Sequence, residues 1–149
     1  MPAAKKTSSS HIVAISCLML AAAVPLGSAQ GQGAATSLSY EYFKTQVQPV
    51  FLLKREGHTR CVVCHVTNNA PFHLVPLSPG AATWNEDQSK QNFELIQRVA
   101  AAGVADSPLV KHPLAEEAGG DSHHGGGQQF TSQQDPAWQK LKAFVTGAK

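Results

Sequence analysis

Apolar residues recur at helical steps in three separated windows of the chain. The first opens at Leu38, where Tyr40, Phe43, Val47, Val50 and Phe51 follow one another at three- and four-residue steps. That spacing predicts a helix with one buried face, capped by Ser39. Pro49 lacks a backbone donor, so the helix is expected to end near Gln48. In the second window Asn85 stands as a cap with Gln88 at the capping-box position. Phe93, Ile96, Val99 and Ala100 line one side, and Gly103 is expected to stop the helix. Asp106-Ser107-Pro108 then begins a short helix through Lys111, closed by Pro113. The third window starts sharply at Asp135-Pro136, a cap and first-turn proline, with Trp138, Leu141, Phe144 and Val145 as its apolar stripe.

Between these windows the chain reads as loop. KREGHT (residues 54–59) is a polar turn, and Pro71, Pro76 and Pro79 predict irregular backbone. FHLVPLS (residues 72–78) is expected to be a short extended piece laid against something flat and apolar. The run EEAGGDSHHGGGQQFTSQQ (residues 116–134) is the least helix-like part, yet it lies between two structured pieces. No internal repeat and no convincing strand pattern is present. The expected architecture is all-α, one domain over residues 38–149 with long loops.

The first 29 residues have another logic. Lys5 and Lys6 precede an apolar run from Ile12 to Leu26, which ends in Gly27-Ser28-Ala29. This is the three-part form of a secretory signal peptide, and the run is too short for a confident membrane span. Cleavage after Ala29 would leave residues 30–37 as a Gly/Ala/Gln-rich lead-in and place the protein in the periplasm or outside the cell. It would also remove Met1, Met19 and Cys17, so the remaining chain keeps two cysteines and no methionine. The charge changes as well. Twelve Lys and Arg stand against ten Asp and Glu, and without Lys5 and Lys6 the two signs balance. Such a surface gives no reason to expect nucleic acid or an anionic membrane as partner.

The remaining cysteines stand in CVVCH, Cys61 to His65. Two thiols at this spacing reach the two vinyl groups of a haem, and the next residue presents an imidazole to its iron. Zinc would need two further ligands, and no second CxxC exists. A thioredoxin-like pair would expect a preceding strand and a following long helix. The reading is one covalently bound haem c, attached through Cys61 and Cys64 and ligated by His65.

The sequence goes further than the motif. YFKTQVQPVFLLKREGHTRCVVCH, LSPGAATWNEDQSKQNFE, HPLAEEAGGDSHHGGGQQF and DPAWQKL together resemble a family of small secreted monohaem c-type cytochromes, class I-like, of acidobacterial and planctomycete type. The resemblance covers roughly Tyr40 to Val145. It implies a cytochrome c-like fold, with a helix before the haem motif crossing a C-terminal helix, and electron transfer rather than enzymatic catalysis. Redox proteins would be the partners.

With no methionine after the leader, histidine is the expected sixth ligand. In class I relatives the methionine comes from a loop shortly before the C-terminal helix, and here HHGGG occupies that place. The family pattern sets an aspartate three residues before the ligand histidine, which pairs Asp121 with His124. His124 is therefore the expected distal ligand and His112 the alternative, while His73 reads as a surface imidazole. Arg60 and Trp84 are candidates for hydrogen bonds to a haem propionate. Phe130 is expected over the haem edge or the terminal helix, and Trp138 in the core. Bis-histidine ligation lowers the reduction potential relative to His/Met. The alternatives are a haem-based gas sensor or peroxidase-like protein with a displaceable distal ligand, and a haem subunit of a larger oxidoreductase complex.

Overall fold

The computed structural model describes residues 37–67, 70, 72–100 and 107–149. The expected leader, all of the lead-in except Ser37, and the boundary residues Gly103 and Asp106 lie outside the described residues.

Helix α1 forms in three consecutive pieces: Tyr40–Tyr42, a π-helical turn Phe43–Val47, and Gln48–Leu52. Ser39 caps it as expected, its hydroxyl accepting from the Tyr42 amide at 3.3 Å. The expected stop near Gln48 is corrected, because the helix passes through Pro49 to Leu52. The wide turn explains how. The Gln48 amide reaches back five residues to the Phe43 carbonyl, which loosens the backbone just where a proline ring would clash with the preceding turn. Helix α2, Cys61–His65, is the haem-motif segment itself.

Helix α3, Glu86–Ala100, starts with the anticipated reciprocal cap. The Gln88 amide donates to Asn85 Oδ1 at 2.9 Å, and the Asn85 amide to Gln88 Oε1 at 3.1 Å. Helix α4, Pro108–Lys111, is tied back to α3 by the buried Ser107, whose hydroxyl donates to the Val99 carbonyl at 3.1 Å. Helix α5, Pro136–Val145, closes the chain.

The apolar stripes meet where α1 packs on α3 and α5. Phe43 sits at the centre, fully buried, with its ring 5.5 Å from Phe93 and 5.8 Å from Phe144. Trp138 is core, and its indole donates to the Val110 carbonyl at 2.8 Å. Asp135 does two jobs. It accepts from the Ala137 and Trp138 amides at the start of α5, and it pairs with Arg55 at 2.5 Å. Burial pushes the Asp135 carboxyl up, but the Arg55 hydrogen bond and the two amides outweigh it, so its pKa ends below the usual value. Its contribution is present above the ordinary carboxylate range and lost as pH falls through that range toward the depressed value. Asp135→Ala is expected to cost about 1–2 kcal/mol and to flatten the acid limb of stability against pH, measured by denaturant unfolding from pH 7 down to pH 3.

The long loop after α4 is folded rather than loose. A single parallel bridge joins Leu114 and Phe130, with the Ala115 amide on the Phe130 carbonyl at 2.8 Å and the Phe130 amide on the Pro113 carbonyl at 3.0 Å. Glu116–Ala118 makes one 3₁₀ turn. Gly120 lies so close to the Leu114 carbonyl that a side chain there would collide with it. No strand is formed among the described residues, and the architecture is all-α.

Candidate functional site

Helix α2 is short, and its position is what gives it a site. It packs beside α1 and turns Cys61 and His65 toward a hollow of about 570 Å³. Phe51, Phe72, Leu109, Phe130 and Leu141 supply apolar wall, and His65, His112 and His124 supply its imidazoles. A second hollow of about 910 Å³ shares Cys61 and all three histidines. It continues outward past Arg60, Val63, Cys64 and Gly125. An apolar recess with a few converging polar groups is the usual form of a small-molecule or cofactor site.

His65 is buried and doubly held. Its Nδ1 lies 3.1 Å from the Phe72 carbonyl, and the Phe72 ring stacks on it at 4.1 Å and 23°. The amide of Leu74 also returns to the His65 carbonyl at 2.6 Å. The extended FHLVPLS piece therefore packs on the haem-motif histidine, and its carbonyl decides which nitrogen is free. Burial keeps the His65 pKa below the usual imidazole value, partly opposed by the Phe72 hydrogen bond. A neutral ring with Nε2 unengaged is the form that ligates a metal. Burial also pushes the Cys61 thiol up to about 11.

Across the hollow stands His124. Its ring is 6.4 Å from that of His65 and inclined by only 21°. Its Nδ1 lies 2.6 Å from the Gly127 carbonyl, so here too Nε2 is the nitrogen left over. The turn that makes this contact closes with the Gly127 amide on the His124 carbonyl at 2.8 Å. Gly127 takes φ +78°, a left-handed conformation in which a side chain is strained. The buried Gln129 holds the loop from below, its side chain donating to the Gly126 carbonyl at 3.1 Å and its amide to Pro113 at 2.8 Å.

The other expected residues divide. His112 is in the hollow, with its ring 4.9 Å from His124 and nearly perpendicular to it. Asp121, the aspartate three residues before His124, faces His112, with Oδ2 3.2 Å from Nδ1, and Lys111 at 3.8 Å. Arg60 stands exposed at the entrance of α2 and lines the outer hollow. Trp84 does not join the site. It is buried, its indole donates to the Val75 carbonyl at 2.6 Å, and it borders a different recess beside Lys44 and Gln48. Its indole is thus engaged in local packing, the structural role being the other reading of this residue. Phe130 is buried in the wall, with the Arg55 guanidinium 4.9 Å from its ring centre. His73 and His123 do not line either hollow.

Sequence reasoning missed Phe72 as the partner of His65, Asp121 as that of His112, and Gln129 as support of the glycine loop. Phe72 acts through its carbonyl, Asp121 through its carboxylate and Gln129 through its side-chain amide, and no spacing announces any of the three. Among the described residues no three His, Cys, Asp or Glu side chains are grouped to hold a metal ion by themselves, and no helix is long and apolar enough to cross a membrane. No protein-family model, curated protein or solved structure matches the chain.

Proposed function

We propose that the protein is a periplasmic or secreted monohaem c-type cytochrome that carries electrons, with bis-histidine ligation by His65 and His124. The observation that carries the reading is the pair of near-parallel imidazoles 6.4 Å apart, one from the CVVCH helix, facing a shared apolar hollow. Metal–imidazole bonds run about 2 Å, so that separation leaves room between the two rings for a metal. A porphyrin supplies four of the iron's ligands, so two histidines suffice where a bare ion would need a fuller cluster. Both rings have Nδ1 on a backbone carbonyl, which fixes their tautomer and orientation.

In this reading the bound haem supplies a one-electron redox centre. Cys61 and Cys64 would hold it covalently, His65 and His124 would ligate its iron, and Phe51, Phe72, Leu109, Phe130 and Leu141 would keep water away from it. Arg60, at the mouth, is the side chain available to a propionate. Cys64 is exposed while Cys61 is mostly covered, so one edge of the group would reach the surface, where a redox protein partner can dock. Helices α1 and α5, before and after the site, pack against each other, which supports the reading without defining it. Localisation rests on the leader-like N-terminus.

The test is the optical and EPR spectrum of the mature holoprotein after haem attachment has been established by mass. The expected result is a low-spin ferric spectrum without the near-infrared methionine–iron band. A high-spin protein that binds carbon monoxide readily overturns the carrier and favours the sensor or peroxidase-like alternative.

A further inference from the structure

The distal side of the hollow holds two histidines, and the proposed function uses one. His112 is built for the same task by other means. It follows α4 directly, its amide donating to the Pro108 carbonyl at 3.0 Å, so its backbone is part of the packed domain. Its Nδ1 faces the Asp121 carboxylate at 3.2 Å, and the Asp121 amide is itself fixed on the Lys111 carbonyl at 3.2 Å. A carboxylate beside Nδ1 favours the proton there and leaves the Nε2 lone pair as the donor. All three histidines of the hollow thus have Nδ1 beside an acceptor, two of them on carbonyls and His112 on a carboxylate.

His124 is held differently. Its ring is tied to its own turn through Gly127, and its neighbours His123, Gly125 and Gly127 are exposed. That turn, exposed at these positions, is less buried than the bridge at Phe130 that carries it, and so is the part of the loop that opens more readily. The bridge between Leu114 and Phe130, with Gln129 on Pro113, brings the two segments together and leaves the rings 4.9 Å apart.

From this arrangement we infer that His112 is a reserve axial ligand: when His124 leaves the iron, His112 takes its place, and the site exchanges one histidine for another without opening. The inference rests on the haem reading above and deepens it. It makes the glycine loop a releasable strap and the His112–Asp121 pair the element that keeps the site closed to small ligands. Because a carboxylate on Nδ1 makes imidazole a stronger donor than a carbonyl does, the exchanged form has the lower reduction potential.

The experiment compares wild type, His112→Ala, His124→Ala and the double variant as full-length holoproteins, by EPR, carbon monoxide binding and potentiometric titration. His124→Asn serves beside His124→Ala, since it keeps a polar side chain in the loop. Wild type, His112→Ala and both single His124 variants are expected to be low-spin and slow to bind carbon monoxide. The His124 variants should show altered EPR g values and a lower potential. Only the double variant is expected to turn high-spin and bind the gas readily. A high-spin His124→Ala and His124→Asn with normal haem content overturns the exchange and leaves the bis-histidine carrier standing. A high-spin His112→Ala reverses the two roles and overturns it as well. Absence of covalent haem from the wild type defeats the underlying reading itself, and the exchange with it.

Discussion

Cys61→Ser/Cys64→Ser is expected to yield protein from which acidified organic solvent removes all haem, whereas the wild type retains its haem in the protein phase. The hydroxyl of serine cannot form the thioether, so attachment is lost outright rather than weakened. His65 and the apolar wall remain, and they offer only a reversible site. A thiol titration under denaturing conditions makes the same distinction from the other side. On the haem reading the wild-type holoprotein should show no free thiol at Cys61 or Cys64, because both sulfurs would be consumed. Two reactive thiols in the wild type would instead return the CVVCH helix to the dithiol or zinc readings. Stability should follow attachment, since a group bound only by the folded state stabilises it by mass action, about 4 kcal/mol when present at a thousandfold over its Kd. A permanently attached group cannot be diluted away. The double variant is therefore expected to melt well below the wild type, and more so on dilution, as scanning calorimetry would register. Equal melting temperatures would show that the hollow gains nothing from being filled.

The second large effect lies away from the hollow. Phe43→Ala is expected to cost about 3–5 kcal/mol, measured by urea unfolding of the holoprotein, with the low-spin spectrum retained in the folded fraction. Phe43 has no exposed surface and touches the aromatic rings of both partner helices, Phe93 and Phe144. It also opens the π-helical turn of α1. A loss below about 1 kcal/mol would mean that the α1–α3–α5 crossing is set elsewhere, because that is the size of a surface change and not of a core one.

Much of this was legible in the sequence because the interactions concerned are local. A capping box needs only residues 85 and 88, and a cap with first-turn proline only 135 and 136. An amphipathic stripe declares itself within ten residues. The spacing of Cys61, Cys64 and His65 belongs to the same class, since a covalent attachment and a ligand on one helical turn are a short-range matter. The interruption at Pro49 went astray for a physical reason. A π-helical turn has no propensity signature of its own, and it forms here because the packing of Phe43, Val47 and Phe51 repays continuing the helix.

What the sequence determined by itself is the positions of the main helices and the all-α class. The tertiary structure decided which of them meet. His124 lies fifty-nine residues beyond His65, and nothing local relates them; the separation and parallel set of their rings come from a loop anchored through Gln129 and a single backbone bridge at Leu114. The same loop sets Asp121 against His112, and elsewhere the Trp84 indole is engaged by the Val75 carbonyl. Side chains on one helix share a face because the backbone repeats. Side chains on different segments share a hollow only when burial and hydrogen bonding elsewhere bring their backbones together, and no spacing in the chain encodes that sum.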